Sequence, residues 1–185
     1  MTKGRKMMKE FSVRPKPRNN NAKIAFLIAI LVSVSSFVVY YFMEKYKGFV
    51  GLFGILTLAT AILFYTKYIS PVFSYDVLLD ESGLPLFVVR KIVGKRVTTL
   101  CRIDMCDISS ITHETRAEMK SHVTPKGFLK YFYNPTLFPP DVYRITVSGR
   151  YEKAEIVIEA SDEFAKMLLD YSEEAKTLAA DSEDF

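Results

Sequence analysis

Charge is missing from two long stretches of this chain. Between Ile24 and Met43 there are 20 residues without a charged side chain, and between Gly48 and Thr66 there are 19. Only the short segment 44–47 between them is charged. A bilayer core about 30 Å thick is crossed by roughly 20 helical residues at about 1.5 Å per residue. The two stretches therefore predict two transmembrane helices joined by a tight turn in water.

The apolar stretches have two alternative interpretations. One is a pair of buried helices in a soluble protein, but helices on a soluble core show a polar face and these stretches show none. The second is a cleaved signal peptide ending near Ser35–Ser36. A secretory apolar region is about 7–15 residues long, whereas this one continues through Val39 and a second stretch follows it. The two-helix transmembrane hairpin is therefore the favoured interpretation.

Cysteine and glycine are too sparse for several common kinds of site. Cys101 and Cys106 are the only cysteines and lie five residues apart, whereas zinc sites usually show pairs at two-residue spacing. The sequence contains no Gly-rich phosphate loop and no Gly-x-Ser-x-Gly elbow. We expect no metal, no cofactor and no catalytic residue. Catalytic groups can also be scattered, so a membrane-bound enzyme stays open as an alternative.

Positive charge is concentrated before the first apolar stretch. Residues 1–70 carry 11 Lys/Arg against 2 Asp/Glu (net +9), whereas residues 71–185 carry 14 against 19 (net −5). Basic charge beside membrane-length apolar stretches indicates a membrane surface, so nucleic acid is not an expected partner. The positive-inside bias places the basic tail 1–23 in the cytoplasm, and two crossings return the chain there. We expect a multi-pass protein of the plasma (inner) membrane with both termini cytoplasmic and both thiols reduced.

Small residues recur at the start of the second apolar stretch. Gly48, Gly51 and Gly54 are spaced by three, and small residues let helix backbones approach closely in lipid. The first stretch offers small residues of its own: Ser33, Ser35 and Ser36. We expect the two spans to pack together through these faces, with a contact between two copies of the chain as the alternative.

From Pro71 onward the pattern changes to short strands separated by turn residues. Residues 142–148 alternate between apolar and polar side chains, as expected when one face of a strand is buried. Glu152, Glu155 and Glu159 are interpreted as a solvated strand face. About seven antiparallel strands are predicted, at 73–79, 84–92, 95–103, 107–112, 127–133, 142–148 and 154–160, with tight turns at 80–83 and 93–94.

After the last strand the apolar period switches to that of a helix. Ser161 is a good N-cap, and two carboxylates follow it where the helix dipole favours anions. The apolar residues Phe164, Met167, Leu168 and Tyr171 then recur at helical spacing, which predicts an amphipathic helix on the core. The predicted organisation is a basic tail (1–23), a transmembrane hairpin (24–70), an α+β cytoplasmic domain (71–176) and an acidic tail (177–185).

Seven short strands closed by one helix resemble the bacterial pleckstrin-homology-like (PH-like) domain. The resemblance covers roughly residues 72–176 and is carried by "YDVLLDESGLPLFVVRKIVGK", "RIDMCDISSIT" and "SDEFAKMLLDY". The segment from Glu114 to Lys126 departs from the pattern. Bacterial membrane proteins often join transmembrane helices to such a domain. The resemblance implies a PH-like barrel or sandwich that serves for binding or assembly rather than for catalysis.

Two features of the predicted domain are candidates for binding. Four cations flank the predicted hairpin turn at 93–94, where they could contact a lipid headgroup or a phosphate: Arg90, Lys91, Lys95 and Arg96. Farther along, Pro135, Pro139 and Pro140 stiffen a loop that displays Leu137 and Phe138, a candidate docking surface. The ordinary alternative for the four cations is a solvated sheet end, and for the loop it is a cap on the end of the barrel.

The sequence thus favours a membrane-anchored module that binds a protein partner, or another copy of itself, near the membrane. The first alternative is a sensor of anionic lipid headgroups that uses the cations at the hairpin turn. The second is a membrane-bound enzyme.

Overall fold

The computed structural model describes residues 10–16, 20–80, 83–149 and 153–183. The chain divides into two compact units. One unit, the helical hairpin, contains residues 20–71 together with the loop Pro135–Phe138. The other unit, which we call the β domain, contains the described parts of residues 10–16, 72–134 and 139–183.

Two long helices form the helical hairpin, as the charge-free stretches predict. Helix α1 spans Asn21–Phe42, and helix α2 spans Lys47–Phe64 and continues through a π-helical turn at Tyr65–Ile69. The two apolar segments are 22 and 23 residues long, and the most apolar 18-residue windows within them have mean hydropathies of 2.4 and 2.0. At about 1.5 Å per residue, each is long enough to cross a bilayer.

The helical hairpin has small and polar residues on its inside and apolar residues on its outside. Its buried positions are Ala22, Ser33 and Ser36 on α1 and Gly54 and Ala61 on α2. The Ser33 hydroxyl donates a hydrogen bond to the Gly54 carbonyl at 3.0 Å, while most of the large aliphatic and aromatic side chains point outward. A helix pair in water buries its apolar face instead. This distribution suits surroundings of lipid.

Two four-stranded sheets make up the β domain. The first has the order β1-β2-β3-β4 and the second the order β5-β7-β8-β6. The first sheet is built from β1 (Phe11–Val13), β2 (Val72–Leu79), β3 (Pro85–Val93) and β4 (Arg96–Asp104). The second is built from β5 (Ile108–Thr115), β6 (Leu129–Tyr133), β7 (Asp141–Ser148) and β8 (Lys153–Ile158).

Strand pairing departs from the sequence prediction at β6. This strand runs parallel to β8, with Leu129 opposite Ala154 and Tyr133 opposite Ile158. The other pairs are antiparallel. The expectation of an entirely antiparallel domain was therefore wrong. Strand β6 reaches its place at the sheet edge after an excursion that includes the short helix α3 (Arg116–Ser121), and not through a hairpin.

Strand β1 lies in the segment that the sequence analysis treated as a basic tail. Its three residues pair with β2, with Phe11 opposite Val77 and Val13 opposite Tyr75. The Phe11 ring stacks on the ring of Phe164, with 6.1 Å between centroids. The β domain is therefore assembled from chain segments that precede and follow the two apolar helices in the sequence.

The β3–β4 turn lies one residue later than predicted. Gly94 and Lys95 form it, and Gly94 has a φ of +59°. Glycine occupies this left-handed conformation without the steric cost of a Cβ. At the β2–β3 turn, Gly83 has a φ of +81°, and the predicted turn residues Glu81 and Ser82 lie outside the described residues.

Helix α4 covers the core between the sheets. It spans Asp162–Glu183, and the Phe164 amide donates a hydrogen bond to the Ser161 hydroxyl at 3.3 Å, as expected of an N-cap. Phe164 and Leu168 are buried in the core, together with side chains from both sheets such as Tyr75, Phe87, Ile145 and Ile156. The helix was predicted on this face. It continues through residues 177–183, which the sequence analysis assigned to an acidic tail.

Candidate functional site

The structure separates the four cations of the β3–β4 hairpin into two groups. Arg90 lies opposite Thr99, whereas Lys91 and Arg96 belong to the alternate positions that point to the other face. Lys95 is in the turn itself. Lys91, Lys95 and Arg96 therefore stay together, and we call these three residues the basic tip.

Arg90 has a structural partner. Its guanidinium lies 3.2 Å from a carboxylate oxygen of Asp76, which is buried. Asp76 also accepts hydrogen bonds from Ser74 at 2.7 Å and from Ser12 on strand β1. Arg90 thus helps to join β1, β2 and β3, and it is less available to an external anion than the basic tip.

The loop at Pro135–Phe138 is only partly exposed. Thr136 is buried and Leu137 is half-buried, whereas 47% of Phe138 remains exposed. This segment belongs to the same compact unit as the two apolar helices. Of the predicted docking pair, Phe138 is the more accessible side chain.

Two of the three predicted glycines lie against the facing helix. A Cβ on Gly51 would come within 3.1 Å of the Tyr40 ring, and one on Gly54 would come within 3.3 Å of the Ser36 Cβ. A Cβ on Gly48 would meet nothing within 4 Å. Close approach of α1 and α2 thus depends on Gly51 and Gly54, and Gly48 lies outside the contact.

Strand β4 presents an open edge. It ends the first sheet, and no described strand pairs with its outer side. Residues 96–100 are exposed, including Val97 at 57% and Leu100 at 37%. The pairing shifts by one residue between Val89 and Arg90, so Leu100 has no partner on β3 and forms a β-bulge in β4. An exposed strand edge offers unpaired N–H and C=O groups to another chain.

A cavity of about 390 Å³ lies where β4 faces the second sheet. Five consecutive residues of β4, Leu100 to Asp104, line one wall, and Tyr131 and Tyr133 of β6 line another. Since alternate side chains of a strand point to opposite faces, a run of consecutive lining residues places the backbone edge of β4 at the cavity. The two tyrosine rings are stacked, with centroids 6.0 Å apart.

A buried ion network lies on the face of the second sheet that points away from the core. The Arg144 guanidinium donates two hydrogen bonds to Glu114, both at 2.6 Å, and one to Glu155 at 2.8 Å. Arg144 and Glu155 are each only 2% exposed. The interpretation of Glu155 and Glu159 as a solvated face was wrong, because both are buried. Glu152 lies outside the described residues.

The segment that departs from the PH-like pattern covers this network. Helix α3 begins with a capping box between Thr115 and Glu118. After the helix, His122 lies 2.9 Å from Glu155, and the Thr124 hydroxyl donates to Glu155 at 3.0 Å. Residues far apart in the sequence meet here, so their pairing is not visible from strand periodicity.

The electrostatics of the network hold both carboxylates in their charged form. Hydrogen bonds from Arg144 lower the pKa of Glu114 despite its desolvation. Burial raises the pKa of Glu155, but hydrogen bonds from His122 and Thr124 and the charge of Arg144 outweigh it and lower the pKa. Burial lowers the pKa of Arg144, and the two carboxylates reverse this and raise it. The network therefore links β5, β7 and β8 through paired charges.

The thiols and histidines form no site together within the described residues. Burial, followed by the charges of Asp107 and Asp104, raises the pKa of Cys106, which keeps its thiol protonated. His113 pairs with Asp141 at 3.5 Å, whereas His122 pairs with the glutamates of the network. In the part of the chain that the structure describes, no group of three or more His, Cys, Asp or Glu side chains has the arrangement of a metal site.

Comparison with known proteins identifies no relative. No family model, curated protein or solved structure matches the chain. The candidate surfaces therefore rest on geometry alone: the open edge of β4 with its cavity, and the basic tip. Sequence analysis predicted this strand at 95–103 but not its place at the edge of the sheet, because that place depends on which strands pair.

Proposed function

We propose that this chain is a membrane-anchored module whose β domain binds a protein partner, or a second copy of the chain, at the cytoplasmic membrane surface. One observation carries the proposal. Strand β1 precedes the two apolar helices and pairs with β2, which follows them. A chain that crosses a bilayer twice returns to the side where it began, so two spanning helices are compatible with this pairing.

The surface of the helical hairpin supports the membrane anchor. Its apolar side chains are exposed on both helices, and its few buried positions are small or polar. In water this surface would be a large apolar patch of the kind that drives aggregation. The basic residues before α1 favour the cytoplasmic side for both ends of the chain.

The form of the β domain supports binding. Two four-stranded sheets with a C-terminal helix on their core are compatible with a PH-like domain, while the parallel β6 strand and the contribution of β1 are additions to that pattern. The open edge of β4 gives a protein partner a place to pair.

The anchor is tested by cysteine accessibility in intact cells. In a chain carrying Cys101→Ser and Cys106→Ser, single cysteines replace Tyr46 between the helices and Thr177 on α4, both exposed positions. We expect an impermeant maleimide to label position 46, and to label position 177 only after the membrane is opened. Labelling of 177 in intact cells, or recovery of the chain in the soluble fraction, contradicts the proposal.

The binding role is tested with a photo-reactive residue at Thr99 on the open edge. We expect adducts with a defined protein, identified by mass spectrometry, whereas the same residue at Val123, which is 83% exposed and lies off β4, gives none. If the chain is found in the membrane but position 99 gives no adducts, the binding role is refuted and the membrane anchor still stands.

Recognition of anionic lipid headgroups is the second candidate function. The register that pairs Val72 with Ile92 brings the basic end of the β3–β4 hairpin level with the start of β2. Val72 follows the last residue of the π-helical turn, Ile69, by only three positions. Charge attraction to headgroups extends only about 8–10 Å at physiological salt, so this closeness along the chain favours contact.

The chain contains no tryptophan, which makes a single introduced one a clean probe of this contact. With Val93→Trp in reconstituted vesicles, we expect stronger quenching by brominated anionic lipid than by brominated zwitterionic lipid. Lys91→Ala/Lys95→Ala/Arg96→Ala should remove the difference. If the tryptophan of Val93→Trp alone is quenched equally by the two lipids, the basic tip does not contact anionic headgroups and is only a solvated sheet end.

A further inference from the structure

The segment that covers the ion network is attached to the second sheet at few points. We call residues 116–127, which include α3 and lead to β6, the strap. Most of its side chains are exposed, and only Met119, His122 and Thr124 are half-buried. His122 and Thr124 both contact Glu155. A segment with so few buried contacts has low local stability, so the contacts with Glu155 decide how firmly the strap is held.

The His122 ring lies between two carboxylates. Its Nε2 is 2.9 Å from a carboxylate oxygen of Glu155, and its Nδ1 is 3.5 Å from one of Glu114. A neutral imidazole donates through one nitrogen and accepts through the other, so one of these carboxylates would face a lone pair. An imidazolium donates through both nitrogens. The position of the ring between the two glutamates therefore suits its charged form.

The charge balance of the network favours the same form. Glu114 and Glu155 carry two negative charges, and Arg144 supplies one positive charge. Buried charge without a counter-charge is costly, and a charged His122 completes the balance. Lys130 on β6 lies opposite Glu155, but its ammonium is 5.1 Å from the centroid of a neighbouring aromatic ring. Hydrogen bonds from Arg144 lower the pKa of Glu114 the most, and the charge of His122 lowers it more than that of Lys130.

We propose that a charged His122 holds the strap against the second sheet, and that the strap loosens when His122 loses its proton. Histidine is the side chain whose charge ordinarily changes between about pH 5 and 8. Because the charged ring stabilises the attachment, this stability is present at lower pH and is lost as pH rises. Glu114 and Glu155 keep their charge across this range, since their pKa values are lowered. The attachment depends neither on the membrane anchor nor on a binding partner.

Hydrogen exchange of backbone amides in the full chain, held in mild detergent, tests the attachment. The Arg116 amide donates to the Pro140 carbonyl at 2.9 Å and the His122 amide to the Glu118 carbonyl at 2.8 Å, so both report on the strap. The measured quantity is the protection factor, which compares each rate with that of an unfolded chain at the same pH. Loss of a hydrogen bond to a charged group should lower protection of both amides about tenfold between about pH 6 and pH 8.5. The Ile145 amide in the core strand β7 should keep its protection.

The two histidines of the chain provide matched variants. His122→Gln cannot become charged, so protection of the strap should be low at both pH values. His113→Gln removes the histidine that pairs with Asp141 and leaves His122 in place, so it should keep the pH dependence of the wild type. Protection of the Ile145 amide shows that each variant is folded.

Three results would each overturn the role of His122. The first is equal protection of the strap at the two pH values in the wild type. The second is a pH dependence that persists in His122→Gln, and the third is one that disappears in His113→Gln. Because the measurement is made in detergent and without a partner, its failure leaves the proposed anchor and the proposed binding role as they stand.

Discussion

Phe164 joins three strands of the β domain at the scale of single residues. Its ring lies 6.1 Å from that of Phe11, 6.2 Å from that of Tyr75 and 6.5 Å from that of Phe87. One side chain of α4 thus contacts β1, β2 and β3. The contact explains why the helix packs on the first sheet at this point.

Removal of this ring should destabilise the β domain strongly. We expect Phe164→Ala to lower the free energy of unfolding by about 3–5 kcal/mol, because the buried ring would leave a cavity. Leu169→Ala is the matched control on the same helix, since Leu169 is 42% exposed, and it should cost less than about 1 kcal/mol. Urea unfolding of the full chain in mild detergent measures both, and a neutral Phe164→Ala would show that α4 does not pack as described.

Arg144 neutralises two carboxylates that water cannot reach well. Arg144→Met leaves Glu114 and Glu155 without their main counter-charge, and breaking a buried pair in this way costs about 3–5 kcal/mol. Lys153→Met, at an exposed cation of strand β8, should change the same urea midpoint very little. Similar losses for the two variants would mean that the network contributes no more than a surface ion pair.

Acid should weaken the same network. The pKa values of Glu114 and Glu155 are lower in the folded protein than the ordinary value of about 4.3 for an unfolded chain. A carboxyl group with a lowered folded pKa stabilises the fold above its unfolded pKa, and this stability is lost as pH falls through the folded pKa. We expect the free energy of unfolding to decrease below about pH 4.5. Glu114→Gln/Glu155→Gln should flatten this slope, and an unchanged slope contradicts the assignment.

At the scale of elements, the contact between α1 and α2 is asymmetric along α2. Gly54→Val would push a side chain against Ser36 and Phe37, whereas Gly48→Val would enter open space. We expect Gly54→Val to lower the thermal stability of the helical hairpin in detergent and to weaken a disulfide engineered between the helices. Gly48→Val should leave both unchanged. Equal effects would indicate that helix propensity, and not packing, is what the substitutions change.

At the scale of the whole molecule, the β domain depends on chain from both ends of the helical hairpin. A fragment of residues 71–185 lacks β1, so the outer edge of β2 and the Phe164 ring lose their cover. We expect residues 10–16, fused ahead of this fragment through a flexible Gly/Ser linker, to raise its melting temperature and reduce its aggregation. The same fusion with Phe11→Ala and Ser12→Ala is the control, and equal behaviour of the two fusions would show that β1 adds nothing.

Local patterns in the sequence were sufficient to predict several helices and strands. The absence of charge over about 20 residues defined α1 and α2, because a helix of that length is needed to cross a bilayer. The strands β2, β3 and β7 were visible because their apolar side chains recur on the faces that pack on the core. Ser161 and the spacing of Phe164 and Leu168 located α4 to within a residue of its start.

Only the tertiary structure decided which distant segments meet. Strand β1 is three residues long and its neighbours carry the charges of a tail, so nothing local distinguishes it before it pairs with β2. Arg144 and Glu155 occupy polar positions that alternation assigns to solvent, and their burial accompanies their mutual pairing and the contacts of His122 and Thr124 with Glu155. The parallel course of β6 likewise depends on its pairing with a distant strand, β8. Periodicity reports which face of an element is apolar, whereas long-range pairing determines what covers its polar face.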